Sequence, residues 1–387
     1  MDWSFMDVGE KQNSLLLGIK RSLRLIGVVV VFGVVGCGSL GPGRVPGDNF
    51  SYNAAIVQSG REQMLLNLVR IRYLEMPLFL KVSSVLTQYT YEGDVGVAGT
   101  QGIGAAPSSI TGSANLGYSE RPTVTYLPVS GQEFARQMMS PIPTELFFGA
   151  AQAGWPTDLL MAIGVQRVGD VENMSFGSVP APGDVDRERQ FRKDLEKLER
   201  FQRLIRTLVE LADEDLIEVS RGKGDDSETR YFVFDRKATG KARDRLQALK
   251  RELGLDLKTN VFRITERYTQ RQADELTFQP RSLLAMMSFL ARGTVVPKVH
   301  QQEGRVIPIG VATAGGVAPP PIPFRIRSQK EPPARAYVAV RYQDHWFYIE
   351  HADVTSKRIM LTLSILLSLQ APDVEAAAPA LTLPTGP

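Results

Sequence analysis

The chain has 387 residues, 43% of them hydrophobic and 22% charged, a composition that fits a globular protein and excludes wholesale disorder. Its 45 Lys and Arg stand against 42 Asp and Glu, so there is no electrostatic case for a nucleic-acid partner, which needs a concentrated basic face. A single cysteine excludes an intrachain disulfide and any multi-cysteine metal site.

The first element is a leader. Lys20-Arg21-Ser22-Leu23-Arg24 precedes an apolar run of 11 residues, Leu25 to Val35, and then Gly36-Cys37. Positive charge, a short apolar core and a small residue before the cysteine form the pattern of an export signal. The run falls well short of the roughly 20 residues a helix needs to cross a bilayer. Extending it back through Leu15-Leu16-Leu17 would bury Lys20, Arg21 and Arg24, each at a considerable energetic penalty. Val34-Val35-Gly36-Cys37 also resembles the lipobox of bacterial lipoproteins. That resemblance implies a signal peptide over 1–36, cleavage before Cys37 and a diacylglycerol in thioether linkage on its sulfur. Gly38 is not the aspartate that favours inner-membrane retention in such lipoproteins, so the resemblance further implies the outer membrane; the expected location is a lipid-anchored one facing the periplasm. A cysteine inside a transmembrane anchor and a leader cut elsewhere are the competing readings.

Leu40 to Asn49, rich in Gly and Pro, reads as part of a flexible tether over 37–50. A helical region carrying a long hairpin is expected over 51–178. Its first helix runs from Ser51 to Glu75, with Ile56, Met64, Leu65, Leu68, Val69 and Arg72 at helical spacing and Pro77 as the stop. Arg61, Arg70 and Arg72 read as a solvated face, or alternatively as contacts to lipid phosphate. From Lys81 to Leu127 the periodicity changes to two. Val85, Thr87, Tyr89, Tyr91, Val95 and Val97 fall on odd positions and polar or small residues on even ones. A return arm sets Ile110, Ala114, Leu116 and Tyr118 on one side, and Pro122 interrupts it. Such a hairpin is either a soluble projection with a Gly-rich tip or a stave of a transmembrane β-barrel, whose strands take about 9–11 residues. One hairpin alone would leave peptide groups unpaired in lipid, so several subunits would have to contribute. Tyr89, Tyr91, Val95, Val97, Leu116 and Tyr118 are therefore the expected membrane or partner contacts.

Short helices follow, from Phe134 to Met139, from Thr144 and from Thr157 through Val165. The segment Pro180-Ala-Pro-Gly183 reads as a boundary before a charged α+β region over 184–370. There Phe191, Leu195, Leu198, Phe201, Ile205, Leu208 and Leu211 stripe a long helix, Arg187 to Leu211, expected to pack on its own sheet. Strands are expected at 216–220, 231–235 and 260–265, with a charged helix between the last two. A buried helix over 281–292, closed by Gly293, leads into the Gly/Pro-rich linker 311–323. The strands 324–327, 336–342 and 346–350 precede a helix over 357–369 capped by Asp353 or Thr355, and 371–387 reads as a disordered tail.

The expected fold class is therefore α+β: helices with antiparallel hairpins, one of them long and Gly-rich, and a C-terminal antiparallel sheet. No stretch carries a nucleotide loop, a G-x-S-x-G elbow or an H-E-x-x-H motif. Asp344, His345, Glu350, His351 and Asp353 look metal-like, but six strand residues put His345 and His351 about 20 Å apart, and His300 stands alone. No cofactor, metal or catalytic residue is expected. The sequence points to an exported lipid-anchored envelope protein with a structural or protein-binding role, partnered by the membrane through its anchor and by envelope proteins or copies of itself. An oligomeric pore or export channel built from the hairpin is the rival expectation, and an envelope hydrolase with distant carboxylates a third.

Overall fold

The computed structural model describes residues 45–100, 109–129, 132–174, 187–222, 229–269, 271–307, 311–313, 316–318 and 322–370. The leader, Cys37 and the tail 371–387 lie outside these residues. The chain divides into one compact unit over 1–59 and a second over 60–387. In the first unit, the described residues belong to helix α1, Val45–Arg72, which continues into the second. The helix begins earlier than expected, so residues 45–50 of the expected tether are helical. Met64, Leu65, Leu68 and Val69 recur at spacings of three and four and are buried, whereas Ile56 is exposed.

The second unit is α+β. Strands β1, Phe79–Thr100, and β2, Ser109–Val129, form a two-stranded antiparallel sheet of their own. Three short helices follow, α2 at Gln132–Met139, α3 at Thr144–Gln152 and α4 at Thr157–Gly164. The expected third helix stops one residue early, and Val165–Val168 is a strand, β3, paired with β4 at Val171–Glu172. Helix α5 runs from Arg187 to Asp213. Strands β5, Ile217–Arg221, and β6, Arg230–Phe234, lead to helix α6 at Gly240–Glu252 and to β7, Val261–Thr265, and β8, Glu275–Pro280. These strands make one six-stranded sheet in the order β4-β3-β8-β7-β6-β5, antiparallel except between β7 and β8. Strands from both sides of the Pro/Gly segment at 180–183 share that sheet, so the segment joins parts of one fold rather than two.

Of the expected stripe on α5, Leu198, Phe201, Ile205, Leu208 and Leu211 lie in the core, joined there by Leu204, while Leu195 is partly buried against it, and the helix packs beside α4, β4 and β5. Arg281 is buried and has no carboxylate partner among the described residues. Its guanidinium donates to the carbonyls of Ile163 at 3.0 Å and Met174 at 2.5 Å and stacks 4.3 Å from the Phe289 ring. Burial lowers its pKa to about 9. It ties the end of α4 to helix α7, Leu283–Ala291, whose N-cap Ser282 accepts from the Ala285 amide.

After the short helix α8, Lys298–Gln302, the expected linker holds an antiparallel pair, β9 at Val311–Thr313 and β10 at Gly316–Ala318. The C-terminal sheet has the order β11-β13-β12, with β11 at Arg327–Gln329, β12 at Ala336–Tyr342 and β13 at His345–Glu350. Gln343 and Asp344 make the two-residue turn between β12 and β13, both at positive φ (43° and 64°), which matches the right-handed twist of a hairpin. Helix α9, Val354–Gln370, is capped by Asp353, which accepts from the amide and hydroxyl of Ser356.

Candidate interaction surface

The β1–β2 ribbon is held at its base by two side chains. Asn67 on α1 is fully buried and pairs with Leu78 as a strand would: its Nδ2 donates to the Leu78 carbonyl at 2.7 Å and its Oδ1 accepts from the Leu78 amide at 2.9 Å. Phe79, the first residue of β1, is buried edge-on against Phe134, 5.9 Å away. Beyond this base, among the described residues, the ribbon's strands pair only with each other. At about 3.3 Å per residue, 22 residues reach roughly 70 Å. Pro122 does not interrupt β2. It lies opposite Thr87 in a continuous ladder, because a two-stranded ribbon has outward-pointing N–H positions on both strands, where proline removes no cross-strand bond.

The register decides what the ribbon presents. Opposed residues of an antiparallel pair project to the same side. The pairs Val85–Val124, Thr87–Pro122, Tyr89–Glu120, Tyr91–Tyr118, Gly93–Leu116, Val95–Ala114 and Val97–Gly112 therefore lie on one face. The two apolar sets of the separate arms are brought together there, and Glu120 is the charged position in that series. The other face takes Gln88–Arg121, Thr90–Ser119, Glu92–Gly117, Asp94–Asn115, Gly96–Ser113 and Ala98–Thr111. A register shift between Val82 and Ser84 skips Ser83, so Val82–Tyr126 and Leu80–Pro128 stay on the apolar face and Lys81 stays off it. This face is open near the base: Leu80 is 41% exposed, Val124 36% and Tyr126 51%. On the opposite face Glu92, Asp94, Ser113 and Asn115 are exposed.

By register the expected contact positions thus share one face of one element, with Tyr91 paired to Tyr118 in the ladder. Cys37 lies outside the described residues. Of the arginines on α1, Arg72 is not solvated but buried, donating to the Ile307 carbonyl at 3.0 Å, and burial lowers its pKa to about 10. That removes it as a lipid contact.

The periodicity gave no sign of a second constellation at the end of α1. The Tyr73 hydroxyl and His300 Nδ1 share a hydrogen bond at 2.6 Å, and the His300 ring meets the His345 ring edge-on at 4.7 Å. Tyr342 packs 5.0 Å from Tyr73 and donates to Glu75. His300 does not stand alone, and both it and His345 are buried, at 2% and 8% exposure. Burial, then Arg305 and His345, lowers the pKa of His300. Two imidazoles and a phenol fall short of a structural metal site, which takes four ligands. Among the described residues no group of three or more His, Cys, Asp or Glu is placed to hold an ion. The other members of the metal-like run are separated: His351 is exposed, Glu350 pairs with Arg327 at 3.0 Å, and Asp353 caps α9.

Two cavities are lined by described residues. One of about 340 Å³ opens between α5 and the six-stranded sheet, among side chains such as Phe148, Met161, Leu208, Phe232 and Phe278. Another, of about 290 Å³, gathers Glu145 and Glu266 with Arg230, Arg263 and Arg267. Comparison with protein-family models, with curated proteins and with solved structures finds no match for this chain.

Proposed function

We propose that the chain is an exported lipoprotein of the cell envelope, held at the periplasmic side of the outer membrane by acyl groups on Cys37, and that the β1–β2 ribbon carries its structural or protein-binding role. The role is not catalytic. The observation that carries this reading is the ribbon itself: a two-stranded sheet whose register gathers the apolar positions of both arms on one face, with Leu80, Val124 and Tyr126 exposed near its base. Strand edges and contiguous apolar surface are features that proteins normally cover, and an element that presents them is suited to a partner. The anchoring half of the proposal rests on the charge, length and cysteine of the leader.

Fractionation of cells producing the Cys37→Ala variant tests the anchor. The variant is expected in the soluble fraction and the wild type in membranes; retention of the variant in membranes contradicts lipidation. Crosslinking from the ribbon of the anchored protein tests the partner-binding role, with adducts expected at positions 89–97 and 116–118. A second reading, a subunit of an oligomeric outer-membrane pore, is favoured by one specific observation, the register that gathers the apolar positions of both arms on one side.

A further inference from the structure

The ribbon has two dissimilar halves. On the apolar face, the positions nearer the body include Glu120, Pro122 and Pro128, whereas Tyr91, Gly93, Val95, Val97 and Gly99 with Ile110, Gly112, Ala114, Leu116 and Tyr118 form an uncharged run. From Tyr91 to Thr100 this run is as long as one strand of a membrane barrel, about 9–11 residues. Tyrosine stands opposite tyrosine at its inner end, the residue type that collects where hydrocarbon gives way to headgroups. The reverse face of the same half carries Glu92, Asp94, Asn115, Ser113 and Thr111 among glycine and alanine, a polar lining with small residues.

Resting on the reading of an envelope lipoprotein, we propose that this distal half, 91–100 with 109–118, crosses the bilayer as one stave pair of a β-barrel closed by further copies of this chain. Lipid satisfies the apolar face but not the edges, since an unpaired N–H or C=O in hydrocarbon carries a large penalty. Each copy has one free β1 edge and one free β2 edge over the same stretch, because Thr100 pairs with Ser109 and Tyr91 with Tyr118. Rotation about a barrel axis sets the β2 edge of each copy against the β1 edge of the next. The ladder stays antiparallel and the strand number even, with no edge left over. A partner on one edge only leaves the other unpaired. The smallest membrane barrels have 8 strands, so at least about four copies are required. Glu92 and Asp94 then recur around the lumen and make the pore prefer cations.

The test uses the full-length acylated protein in vesicles that contain no other protein. With single cysteines placed by Asp94→Cys, Val95→Cys, Val97→Cys and Ala98→Cys, an aqueous thiol reagent is expected to label 94 and 98 and to spare 95 and 97. Ion conductance is expected from the wild type and is lost in Val95→Arg, whose circular dichroism and thermal midpoint stay those of the wild type. In the double variant Glu92→Gln with Asp94→Asn, conductance persists and the reversal potential in a salt gradient moves toward zero. Equal labelling at all four positions overturns the proposal, as does conductance unchanged by Val95→Arg. Protection of 95 and 97 only in native membranes, with another protein bound to the ribbon, overturns it in favour of that protein. Acylated, membrane-held protein that does not conduct sinks the barrel alone. Protein found unacylated and soluble sinks the envelope reading with it.

Discussion

At the scale of the residue, Asn67 shows how one side chain sets the direction of an element. It sits among Met64, Leu65, Leu68 and Val69 on the buried side of α1, where an amide without partners carries a penalty, and its partners are the backbone groups of Leu78. Asn67→Ala leaves those groups unpaired and is expected to lower stability by about 1–3 kcal/mol. Urea unfolding checks the loss, and amide exchange at Leu78 should accelerate more than exchange in α7. His300 gives a pH signature. Its pKa is depressed in the folded protein, first by burial and then by Arg305 and His345, so at mildly acidic pH the unfolded chain binds a proton that the folded one refuses. Stability from this group is therefore present above the ordinary histidine pKa of about 6.5 and lost as pH falls toward the folded value. Unfolding free energies between pH 7.5 and 5 (about the histidine range) should fall more steeply for the wild type than for His300→Gln; equal slopes would remove His300 as the cause. Of these residues, only those in local patterns could be read from the sequence. Asp353 was legible as a cap because capping reaches three residues along the chain. The pairing of Tyr73 with His300 spans 227 residues, and no short-range rule bears on it.

At the scale of the element, legibility followed periodicity. Helix α5 and the ribbon announce themselves because each has one wet and one covered or segregated face, at periods of 3.6 and 2. Strand β8 does not: Glu275, Leu276, Thr277, Phe278 and Pro280 are all buried, so no alternation marks it, and its parallel pairing with β7 is a tertiary fact. Strands β9 and β10 were hidden in a Gly/Pro-rich run that composition assigns to a loop. The turn after α7 was legible in place but not in cause. Gly293 was expected as a helix-closing glycine, yet its φ is not positive. What excludes a side chain is the Phe324 carbonyl, whose oxygen would stand 2.1 Å from an added Cβ, with the Ile322 side chain at 3.1 Å. That approach accompanies the bonds from the Ile326 amide to the Gly293 carbonyl and from the Val295 amide to the Ile326 carbonyl, which join the end of α7 to the segment before β11. Gly293→Ala must push backbone apart and is expected to destabilise by about 1–3 kcal/mol, read as a lower urea midpoint at unchanged slope. A loss below a few tenths would show that the segment yields freely.

At the scale of the whole molecule, the second unit contains a core and a projection whose stabilities have different origins. The core runs through α1, the six-stranded sheet, α5, α7, the C-terminal sheet and α9 as a continuous set of buried side chains, to which the ribbon contributes Phe79 among the described residues. A two-stranded hairpin is marginally stable by itself in water, so the outer ribbon is the part most easily opened, and its opening need not involve the core. Replacing residues 84–125 by an Asn-Gly turn keeps Asn67, Leu78, Phe79 and the pairing of Val82 with Tyr126. The shortened chain is expected to unfold at nearly the wild-type urea midpoint and to show the same near-ultraviolet dichroism, because the aromatic contacts of the core lie outside the excised segment. The denaturant slope falls slightly, in proportion to the surface removed. Amide exchange completes the test on the intact protein: protons of 85–97 and 112–124 exchange quickly in the isolated chain and slowly wherever the ribbon is covered. Should the excised protein lose its cooperative transition, the ribbon would be part of the core's stability and its open face a consequence of folding rather than a surface kept for a partner.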